Sequence, residues 1–346
     1  MDNLSKLKSM KPGAGQALPE RSLVTKELLA DSTGNSLPLV VKPRFKGVSL
    51  TDWIGSNKGE FDADLLKYGA LLLRGFGIEH LEDFGQFVAS FKSEPLTYMF
   101  RSSPRHELDK AVKNVYNSTT YPREERINLH NESSYSRSWG MKIIFCCLVV
   151  ADEGGETPLA DSRKVLADVP PGIVAKFRAR GVMYRRKLIR DMGMSWQEVF
   201  QTDDKAVVDH VCKLNNIRYK FVSDNYLEIE WVKKAVYHHP ASGEETWFNH
   251  VFFFNKYARY QELGLELEEA APSGLIHSDT LYGDGTAIGV DEYLAIKEAY
   301  RKNTVALPYQ QGDILFLDNM LVAHGRNPYK GSRTVATAII EPASDL

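Results

Sequence analysis

Apolar residues along this chain fall into many short runs, separated by polar and glycine-containing stretches. The longest continuous run lies inside 141–151, and an uninterrupted apolar run of this kind is typical of a strand that is buried on both faces. Shorter apolar or alternating segments predict strands at 37–43, 70–76, 226–237, 246–253, 304–309, 312–318 and 333–341. Prolines flank the 37–43 segment, so we expect that strand at the edge of its sheet.

Helical spacing of apolar positions is confined to fewer segments. It predicts helices over 51–67, 81–91, 163–167, 171–180, 195–201, 204–214 and 290–302. Thr51 is the expected N-cap of the first helix, and Asp161 or Ser162 is that of the third. Short strands with a few flanking helices predict a mainly β fold with a double-stranded β-helix (jelly-roll) core.

The domain organisation is predicted from the part of the chain in which the apolar pattern is weak. Residues 1–35 are rich in Lys, Ser, Gly and Pro with little apolar periodicity, which predicts a loosely ordered N-terminal arm. Residues 36–346 are predicted to form a single jelly-roll domain. Within it, the irregular segments 92–125 and 255–285 are expected to cover a pocket, the second as a lid-like insertion.

Composition narrows the classes of function without selecting one. A net charge of −2 and a pI near 6.5 give no electrostatic basis for binding nucleic acid or an anionic membrane, and we interpret the short basic run 184–187 as a solvated face. No apolar run can span a bilayer and no signal-like segment opens the chain, so we expect a cytoplasmic protein without a membrane partner. Cys146 and Cys147 lie in the 141–151 run, where thiols usually pack as small hydrophobes.

Three histidines stand two positions before a carboxylate, so this spacing alone is weak support for a metal site. They are His80-Leu81-Glu82, His130-Asn131-Glu132 and His277-Ser278-Asp279. The first motif opens a helix, where acidic residues favour the positive end of the dipole. The third lies in the irregular insertion, which favours a surface position. The middle motif continues an alternating apolar pattern, and in a strand His130 and Glu132 would point to the same face and reach one ion.

Three residues further along the chain can complete a site around His130. His324 follows the predicted strand 312–318, although a buried core histidine is an alternative interpretation. Arg333 opens the last predicted strand; it is either a surface arginine or one that faces a pocket and needs a carboxylate partner. Thr157 follows two glycines and can offer a hydroxyl to the same carboxylate. Two imidazoles and one carboxylate form the ligand set of non-haem Fe(II) oxygenases.

Several sequence segments together resemble the Fe(II)/2-oxoglutarate-dependent dioxygenases of the TauD/TfdA superfamily. These segments are His130 to Tyr135, Gly154 to Arg163, Trp247 to Asn249, Tyr282 to Gly285 and Gly312 to Arg333. The closer likeness is to the SyrP-like branch, amino-acid hydroxylases that are associated with nonribosomal peptide biosynthesis. The glutamate at 132, where aspartate is commoner, is similar to that of clavaminate-synthase-like members.

The resemblance implies a role for each of these residues. Fe(II) is expected on His130, Glu132 and His324, and 2-oxoglutarate is expected on Thr157 and Arg333. The interval from His324 to Arg333 is short for the superfamily, which makes Arg326 the reserve residue for 2-oxoglutarate. Ser134 and Arg326 are expected near the substrate, whereas Phe252 to Phe254 are expected in the core.

The resemblance also implies a reaction. With O2 as oxidant, 2-oxoglutarate is converted to succinate and carbon dioxide while an unactivated C–H bond of an amino-acid-like substrate is hydroxylated. That substrate is free or tethered to a carrier protein. The carboxylate of Glu132 argues against halogenation, while desaturation and oxidative cyclisation stay open. A different class is a metal-binding jelly-roll isomerase or binding module that does not use 2-oxoglutarate.

Overall fold

The computed structural model describes residues 23–30, 36–93, 115–117, 121–190, 192–267 and 276–345. Over these ranges, α-helices flank a β-rich core. The described strands form one seven-stranded sheet, two four-stranded sheets and two sheets of two short strands. The prediction of a β-rich fold with flanking helices is confirmed.

The seven-stranded sheet, sheet I, forms the base on which the other elements pack. In spatial order its strands are β1 (Val24–Ala30), β2 (Ser36–Pro43), β3 (Ala70–Leu73), β16 (Ile314–Asp318), β6 (Ser138–Val149), β19 (Thr334–Ser344) and β4 (Tyr116–Asn117). Neighbouring strands are antiparallel, except that β2 and β3 are parallel. The edge position predicted for 37–43 is wrong, because β1, which falls in the predicted N-terminal arm, covers that side of β2.

Sheet II is smaller and lies across an apolar layer from sheet I. Its antiparallel strands, in spatial order, are β15 (Thr304–Val305), β8 (Leu159–Asp161), β17 (Val322–Arg326) and β5 (Ile127–His130). Leu72, Phe145 and Leu315 of sheet I pack in one cluster with Leu159 and Val322 of sheet II. The strands of sheet II therefore rest on a rigid, close-packed support.

Ten described helices flank these sheets. They are α1 (Leu50–Ser56), α2 (Lys58–Tyr68), α3 (Leu81–Ala89), α4 (Ser162–Asp168), α5 (Pro171–Arg180), α6 (Trp196–Phe200), α7 (Lys205–Leu214), α8 (Val251–Phe254), α9 (Lys256–Glu262) and α10 (Val290–Lys302). The single helix predicted over 51–67 is two helices that meet at Asn57, and Ser49, not Thr51, caps the first. Asp161 caps α4 as predicted, its side chain accepting from the Arg163 N–H.

Strand β6 explains why its sequence is apolar without interruption. Alternate side chains point to opposite faces of a strand, and both faces of β6 are covered. Ile143, Phe145 and Cys147 pack toward sheet II, whereas Ile144 and Cys146 pack toward α1, α2 and α3. Both cysteines are buried free thiols, and burial raises the pKa of Cys147 to about 11, which confirms their packing role.

A third sheet, sheet III, was not predicted, although a strand was predicted at 226–237. Its strands, in spatial order, are β10 (Arg218–Ser223), β11 (Tyr226–Lys233), β9 (Val182–Ile189) and β14 (Ser278–Tyr282). Along β9, Tyr184, Arg186 and Leu188 are buried, whereas Arg185 and Lys187 are exposed. Interpreting 184–187 as a solvated face is therefore wrong for half of its residues, because β9 is an inner strand with one covered face.

The apolar pattern predicted a strand over 246–253, but a local side-chain hydrogen bond favours a helical turn in part of this segment. Only β13 (Glu245–Trp247), paired with β12 (Val236–His238), is a strand there. The Asn249 side chain accepts from the Val251 N–H at 3.0 Å, a local bond that starts a helical turn instead. Further on, the strand predicted at 304–309 shrinks to β15. Between the strands predicted at 312–318 and 333–341, where no strand was predicted, the chain forms β17 and the short β18 (Tyr329–Lys330), which pairs with β7 (Glu153–Gly154).

The expected covering segments are described in part. Most of 92–125 and all of 268–275 lie outside the described residues, as do 1–22 and 31–35 of the predicted arm. The described parts of 255–285 are α9 and β14, so this region is more regular than predicted. Within the described ranges, no helix is both long and apolar enough to cross a membrane.

The turn from β16 to β17 is fixed by a buried carboxylate. Asp318 accepts from Lys142 Nζ at 2.6 Å and from His239 Nε2 at 3.1 Å, and its other oxygen accepts from the N–H groups of Met320 and Leu321. Burial raises the pKa of Asp318, but these donors outweigh burial and hold its pKa below the usual value. The ionised Asp318 thus sets the path of the chain into β17.

Candidate active site

Two histidines face each other across sheet II. His130, the last residue of β5, pairs directly with His324 in β17, and their ring centroids are 4.6 Å apart. Gly325 permits this close approach, because a Cβ at that position would lie 2.5 Å from the Ile127 carbonyl oxygen. Strand pairing therefore unites two imidazoles that are far apart in the sequence, and His324 is a cavity residue as well as a buried one.

Glu132 reaches the same place from a turn. Because β5 ends at His130, the expectation that strand alternation aligns His130 with Glu132 is wrong. Nonetheless Glu132 Oε2 lies 3.9 Å from His130 Nε2, and the carboxylate is 3% exposed. Ser133, in a left-handed conformation with φ 56°, donates its hydroxyl to Glu132 Oε1 at 3.3 Å.

A pair of buried asparagines holds that turn against the β16–β17 turn. Asn319 accepts from the Glu132 N–H at 2.8 Å and donates to the Glu132 carbonyl at 2.9 Å and the Gly140 carbonyl at 2.8 Å. In return, Asn131 Nδ2 donates to the Asn319 carbonyl at 2.7 Å. Both asparagines are fully buried. The backbone of Glu132 is thereby fixed to the hairpin that leads to His324.

We expect Asn319→Leu to weaken metal binding rather than simply to unfold the protein. Removing the amide frees the backbone of Glu132, which is a candidate metal ligand, and losing a partner that orients such a ligand typically costs about 10–100-fold in metal affinity. Anaerobic competition with a chromogenic chelator measures the Fe(II) dissociation constant directly.

Asn303→Leu is the matched control for this substitution. Asn303 is also buried, and its amide donates to Asp168 and to the Ala299 carbonyl away from the site. It should lower the free energy of unfolding without changing Fe(II) affinity. Equal loss of Fe(II) affinity in both variants would show that Asn319 acts through general stability alone.

The three groups suit one divalent cation. One ligand atom from each of His130, Glu132 and His324 lies within 4.8 Å of the others. His130 Nδ1 is 2.8 Å from the Asn128 carbonyl oxygen, so Nδ1 carries the proton and Nε2 keeps its lone pair on the side of Glu132. Nitrogen and carboxylate donors on one side of an ion leave its other positions open for ligands.

A third imidazole packs behind the pair. The His250 ring centroid is 5.3 Å from that of His130, and its Nδ1 is 2.7 Å from Ser134 Oγ. Burial, and then the nearby His130, hold the pKa of His250 well below its usual value, so this ring is neutral. Ser134, expected near the substrate, is 1% exposed and supports His250.

A hydroxyl and a guanidinium line the same cavity as the two histidines. Tyr309 donates its hydroxyl to Thr157 Oγ1 at 2.9 Å, and burial raises the pKa of Tyr309, so the phenol keeps its proton. Arg333 Nε donates to the Gly155 carbonyl at 2.9 Å. Gly155 is required there, because a Cβ would lie 3.0 Å from Arg333 Cδ. With its own lone pairs engaged by Tyr309, Thr157 has a hydroxyl hydrogen to donate to an anion.

Arg326 is committed to the backbone. Its terminal nitrogens donate to the carbonyls of Tyr121, Pro122 and Glu125, and burial lowers the pKa of the guanidinium. Its Nε atom is buried and makes no hydrogen bond to the described residues. Arg326 therefore holds the 121–125 segment against β17.

Among these groups, His130, His324, Thr157, Arg326 and Arg333 line one cavity of about 380 Å³. Its size is that of a small-molecule site. Phe145, Phe253 and other apolar side chains complete the wall around these polar groups. Phe252 and Phe254 are buried in the core as expected, whereas Phe253 is not.

Comparison with known proteins decides the family. The model of the taurine catabolism dioxygenase TauD, TfdA family matches residues 33–338. The chain belongs to the TauD/TfdA dioxygenase family. It is 37% identical over 285 residues to the dapdiamide synthesis protein DdaC of Enterobacter agglomerans, covering 81% of this chain and 84% of DdaC.

Two further relatives extend the TauD/TfdA likeness. The clavaminate synthase-like protein At3g21360 of Arabidopsis thaliana is 26% identical over 309 residues, covering 84% of this chain and 86% of that protein. The structure of PvcB, an Fe, alpha-ketoglutarate dependent oxygenase from an isonitrile synthetic pathway, superposes with a TM-score of 0.53 at 14% identity, covering 94% of each chain. The latter likeness shows a shared fold.

This TauD/TfdA member is an Fe(II)- and 2-oxoglutarate-dependent dioxygenase. Its cofactors are Fe(II), 2-oxoglutarate and O2, as the resemblance implied, and the alternative of a metal-binding protein without 2-oxoglutarate is not retained. The residues present fit such a metal, since one ligand atom from each of two imidazoles and a buried carboxylate lies within 4.8 Å of the others.

Several functional residues of the TauD/TfdA enzyme escaped sequence analysis. Asn319, Tyr309 and His250 support the site through partners that lie far away in sequence, and no local pattern marks them. One signal was available: Asn319 lies in Leu317-Asp318-Asn319, a polar pair that directly follows a buried strand and precedes the histidine motif. Polar residues at such a place need buried partners.

Proposed function

We propose that this dioxygenase hydroxylates an unactivated C–H bond of an amino acid or amino-acid-derived substrate in specialised-metabolite biosynthesis. The convergence of ligand atoms of His130, Glu132 and His324, within 4.8 Å of one another beside the cavity, carries this proposal. The relative DdaC is a dapdiamide synthesis protein, and PvcB belongs to an isonitrile synthetic pathway, which supports a substrate of this class. Desaturation or cyclisation of the same substrate is the alternative outcome.

We further propose that sheets I and II are the two halves of a jelly roll. Sheet II packs face to face on sheet I through Phe145, Leu159 and Val322, and the TauD/TfdA match covers sheet II and all of sheet I except β1 and the end of β19. In this arrangement the histidine pair lies on the strands of the smaller sheet, next to the cavity.

The proposed roles divide the site into a metal side and a co-substrate side. His130, Glu132 and His324 would hold Fe(II), and Thr157 and Arg333 would hold the distal carboxylate of 2-oxoglutarate. Together with 2-oxoglutarate and O2, the bound Fe(II) supplies the oxidising power for C–H hydroxylation, with succinate and carbon dioxide as co-products.

The chain itself provides orientation and protection. Tyr309 fixes the Thr157 hydroxyl so that its hydrogen points away from Tyr309, toward an incoming carboxylate. The Asn128 carbonyl fixes the His130 tautomer. Phe145, Phe253 and other apolar lining residues keep bulk water from the reacting carbon.

A turnover assay tests the proposal. The Fe(II) protein with ascorbate, 2-oxoglutarate, O2 and a panel of amino acids, offered free and as carrier-protein thioesters, should form succinate above its substrate-free rate. Mass spectrometry should show a product heavier by one oxygen atom. A product lighter by two hydrogen atoms would indicate desaturation or cyclisation instead. Absence of 2-oxoglutarate binding to the anaerobic Fe(II) protein would refute the proposal.

A further inference from the structure

The two candidate arginines for 2-oxoglutarate contact the ring of one tyrosine. The guanidinium carbon of Arg326 lies 5.3 Å from the centre of the Tyr329 ring, and that of Arg333 lies 5.6 Å from it. Both distances are those of a cation–π contact, in which the negative face of an aromatic ring attracts a cation. The roles proposed above leave this tyrosine without a function, although it meets two groups of the site.

A two-stranded ribbon, formed by β7 and β18, holds the ring in place. Tyr329 of β18 pairs with Gly154 of β7, and the Tyr329 N–H donates to the Arg123 carbonyl at 2.9 Å. The preceding carbonyl, that of Pro328, accepts from the Gly155 N–H at 3.0 Å. Gly154 permits this close approach, because its φ is 69° and a Cβ there would lie 2.3 Å from the Pro328 carbonyl oxygen. The backbone that carries the ring is therefore fixed.

The same ribbon also fixes the other end of the Arg333 guanidinium. Arg333 Nε donates to the carbonyl of Gly155, the residue that follows β7, at 2.9 Å. A carbonyl and an aromatic ring from one ribbon therefore contact the same guanidinium. Within the described ranges, the two terminal nitrogens of Arg333 donate to no protein group. They form the pair of donors that a carboxylate can engage in bidentate fashion.

Arg326 makes the ring more important for Arg333. Both arginines are cations that meet one ring, so their charges repel each other, and attraction to the negative face of the ring offsets this repulsion. The terminal nitrogens of Arg326 are held by carbonyls of the 121–125 segment. If the ring were lost, Arg333 would therefore be the arginine that moves.

We propose that Tyr329 is a positioning residue for the co-substrate: its ring holds the Arg333 guanidinium with both terminal nitrogens toward the distal carboxylate of 2-oxoglutarate. Tyr329 does not line the cavity, so it acts through Arg333 and not by touching the co-substrate. The aromatic face is the functional part of the side chain, and the hydroxyl is not. This inference rests on the proposed role of Arg333 in binding 2-oxoglutarate.

A pair of matched ligands tests the inference. The monocarboxylate 2-oxopentanoate has the chain length and the keto-acid end of 2-oxoglutarate but lacks the distal carboxylate. In anaerobic titrations of the Fe(II) protein, Tyr329→Leu should raise the dissociation constant of 2-oxoglutarate by about five- to tenfold, the size of one cation–π contact. It should change that of 2-oxopentanoate by less than about twofold. At saturating 2-oxoglutarate, kcat should also stay within about twofold, because the ring acts on binding.

Further variants separate the face of the ring from its hydroxyl and its packing. Tyr329→Phe keeps the aromatic face and should leave 2-oxoglutarate affinity within about twofold. Replacing Tyr329 with trifluorophenylalanine keeps the size and shape of the ring but weakens its negative face, so 2-oxoglutarate affinity should fall about as far as in Tyr329→Leu. The fluorinated variant decides the question if Tyr329→Leu fails to fold.

Tyr68→Leu is the matched control for the loss of the ring. Tyr68 is also half-buried and its ring meets a cation, Lys67 Nζ, at 5.0 Å, but it lies in α2 and does not line the cavity. Its substitution should leave the affinity for both keto acids within about twofold.

A double substitution shows whether the ring acts through Arg333. In the Arg333→Met background, Tyr329→Leu should change the dissociation constant of 2-oxoglutarate by less than about a further twofold, because the guanidinium that the ring positions is gone. A purely structural effect of Tyr329→Leu would add to that of Arg333→Met instead.

Each other outcome counts against the inference. It is overturned if Tyr329→Leu weakens 2-oxoglutarate and 2-oxopentanoate equally, if Tyr329→Phe loses as much affinity as Tyr329→Leu, or if the loss persists in the Arg333→Met background. Unchanged 2-oxoglutarate affinity in Tyr329→Leu, with a large loss in Arg333→Met, overturns the inference and leaves the proposed function in place. Unchanged affinity in both variants removes Arg333 from its proposed role as well.

Discussion

Replacing Glu132 by alanine is expected to abolish substrate-dependent succinate formation, lowering kcat/KM by at least about 10³-fold, or ~4 kcal/mol of transition-state stabilisation. Glu132 supplies the anionic donor of the proposed metal site, and it is 3% exposed beside two imidazoles. Without it, two neutral imidazoles face a divalent cation in a poorly hydrated pocket, so both metal affinity and the number of fixed positions fall. Fe(II) titration and initial rates measure the two effects separately.

Glu82→Ala is the matched control for this substitution. Glu82 belongs to another His-x-Glu motif, but that motif opens α3, where Glu82 is exposed in the first helical turn. Its loss should leave kcat/KM and Fe(II) affinity within about twofold. Full activity in Glu132→Ala, at saturating Fe(II), would remove Glu132 from the proposed ligand set.

The sequence predicted what depends on local pattern. Helices α5 and α10 have the predicted bounds to within a residue, because proline and capping signals are local. Strand β6 followed from its uninterrupted apolar run, since both faces of the strand are buried. The His130 motif stood out from its two competitors because its neighbours alternate into that strand.

Whatever depends on distant pairing could not be predicted. Arg186 was predicted to lie in a solvated basic run, because no local pattern shows that one face of β9 packs against α8 and lines the cavity. Similarly, the backbone of Glu132 is fixed by Asn319, 187 residues away. The hydrogen bonds from Asn319, and not strand alternation, bring Glu132 close to His130. The motif therefore indicated the correct pair of residues, although the geometric reason for it was wrong.

The sequence offered two arginines for binding 2-oxoglutarate, Arg333 and, in reserve, Arg326. The structure gives each of them a distinct environment. Arg333 makes one Nε bond to the Gly155 carbonyl and lies in the cavity with Thr157. Both terminal nitrogens of Arg326 donate to backbone carbonyls. An anion therefore finds more open donor capacity on Arg333, although its interval from His324 is short.

Arg333→Met is accordingly expected to raise the dissociation constant of 2-oxoglutarate by about 100-fold, the effect of losing ~3 kcal/mol from a charge-assisted, bidentate contact. Because the metal-chelating end of 2-oxoglutarate is untouched, kcat at saturating 2-oxoglutarate should fall far less than kcat/KM. Anaerobic calorimetry with the Fe(II) protein gives the dissociation constant, and succinate formation gives the kinetic split.

Arg326→Met separates the two assignments. Removing its guanidinium leaves the carbonyls of Tyr121, Pro122 and Glu125 without their donor, so this variant should lose about 1–3 kcal/mol of stability while its dissociation constant for 2-oxoglutarate rises by less than about threefold. The reverse result, a large loss of 2-oxoglutarate affinity in Arg326→Met and a small one in Arg333→Met, would transfer the co-substrate role to Arg326. The Thr157 hydroxyl that Tyr309 orients would then share the cavity with an arginine that serves another ligand.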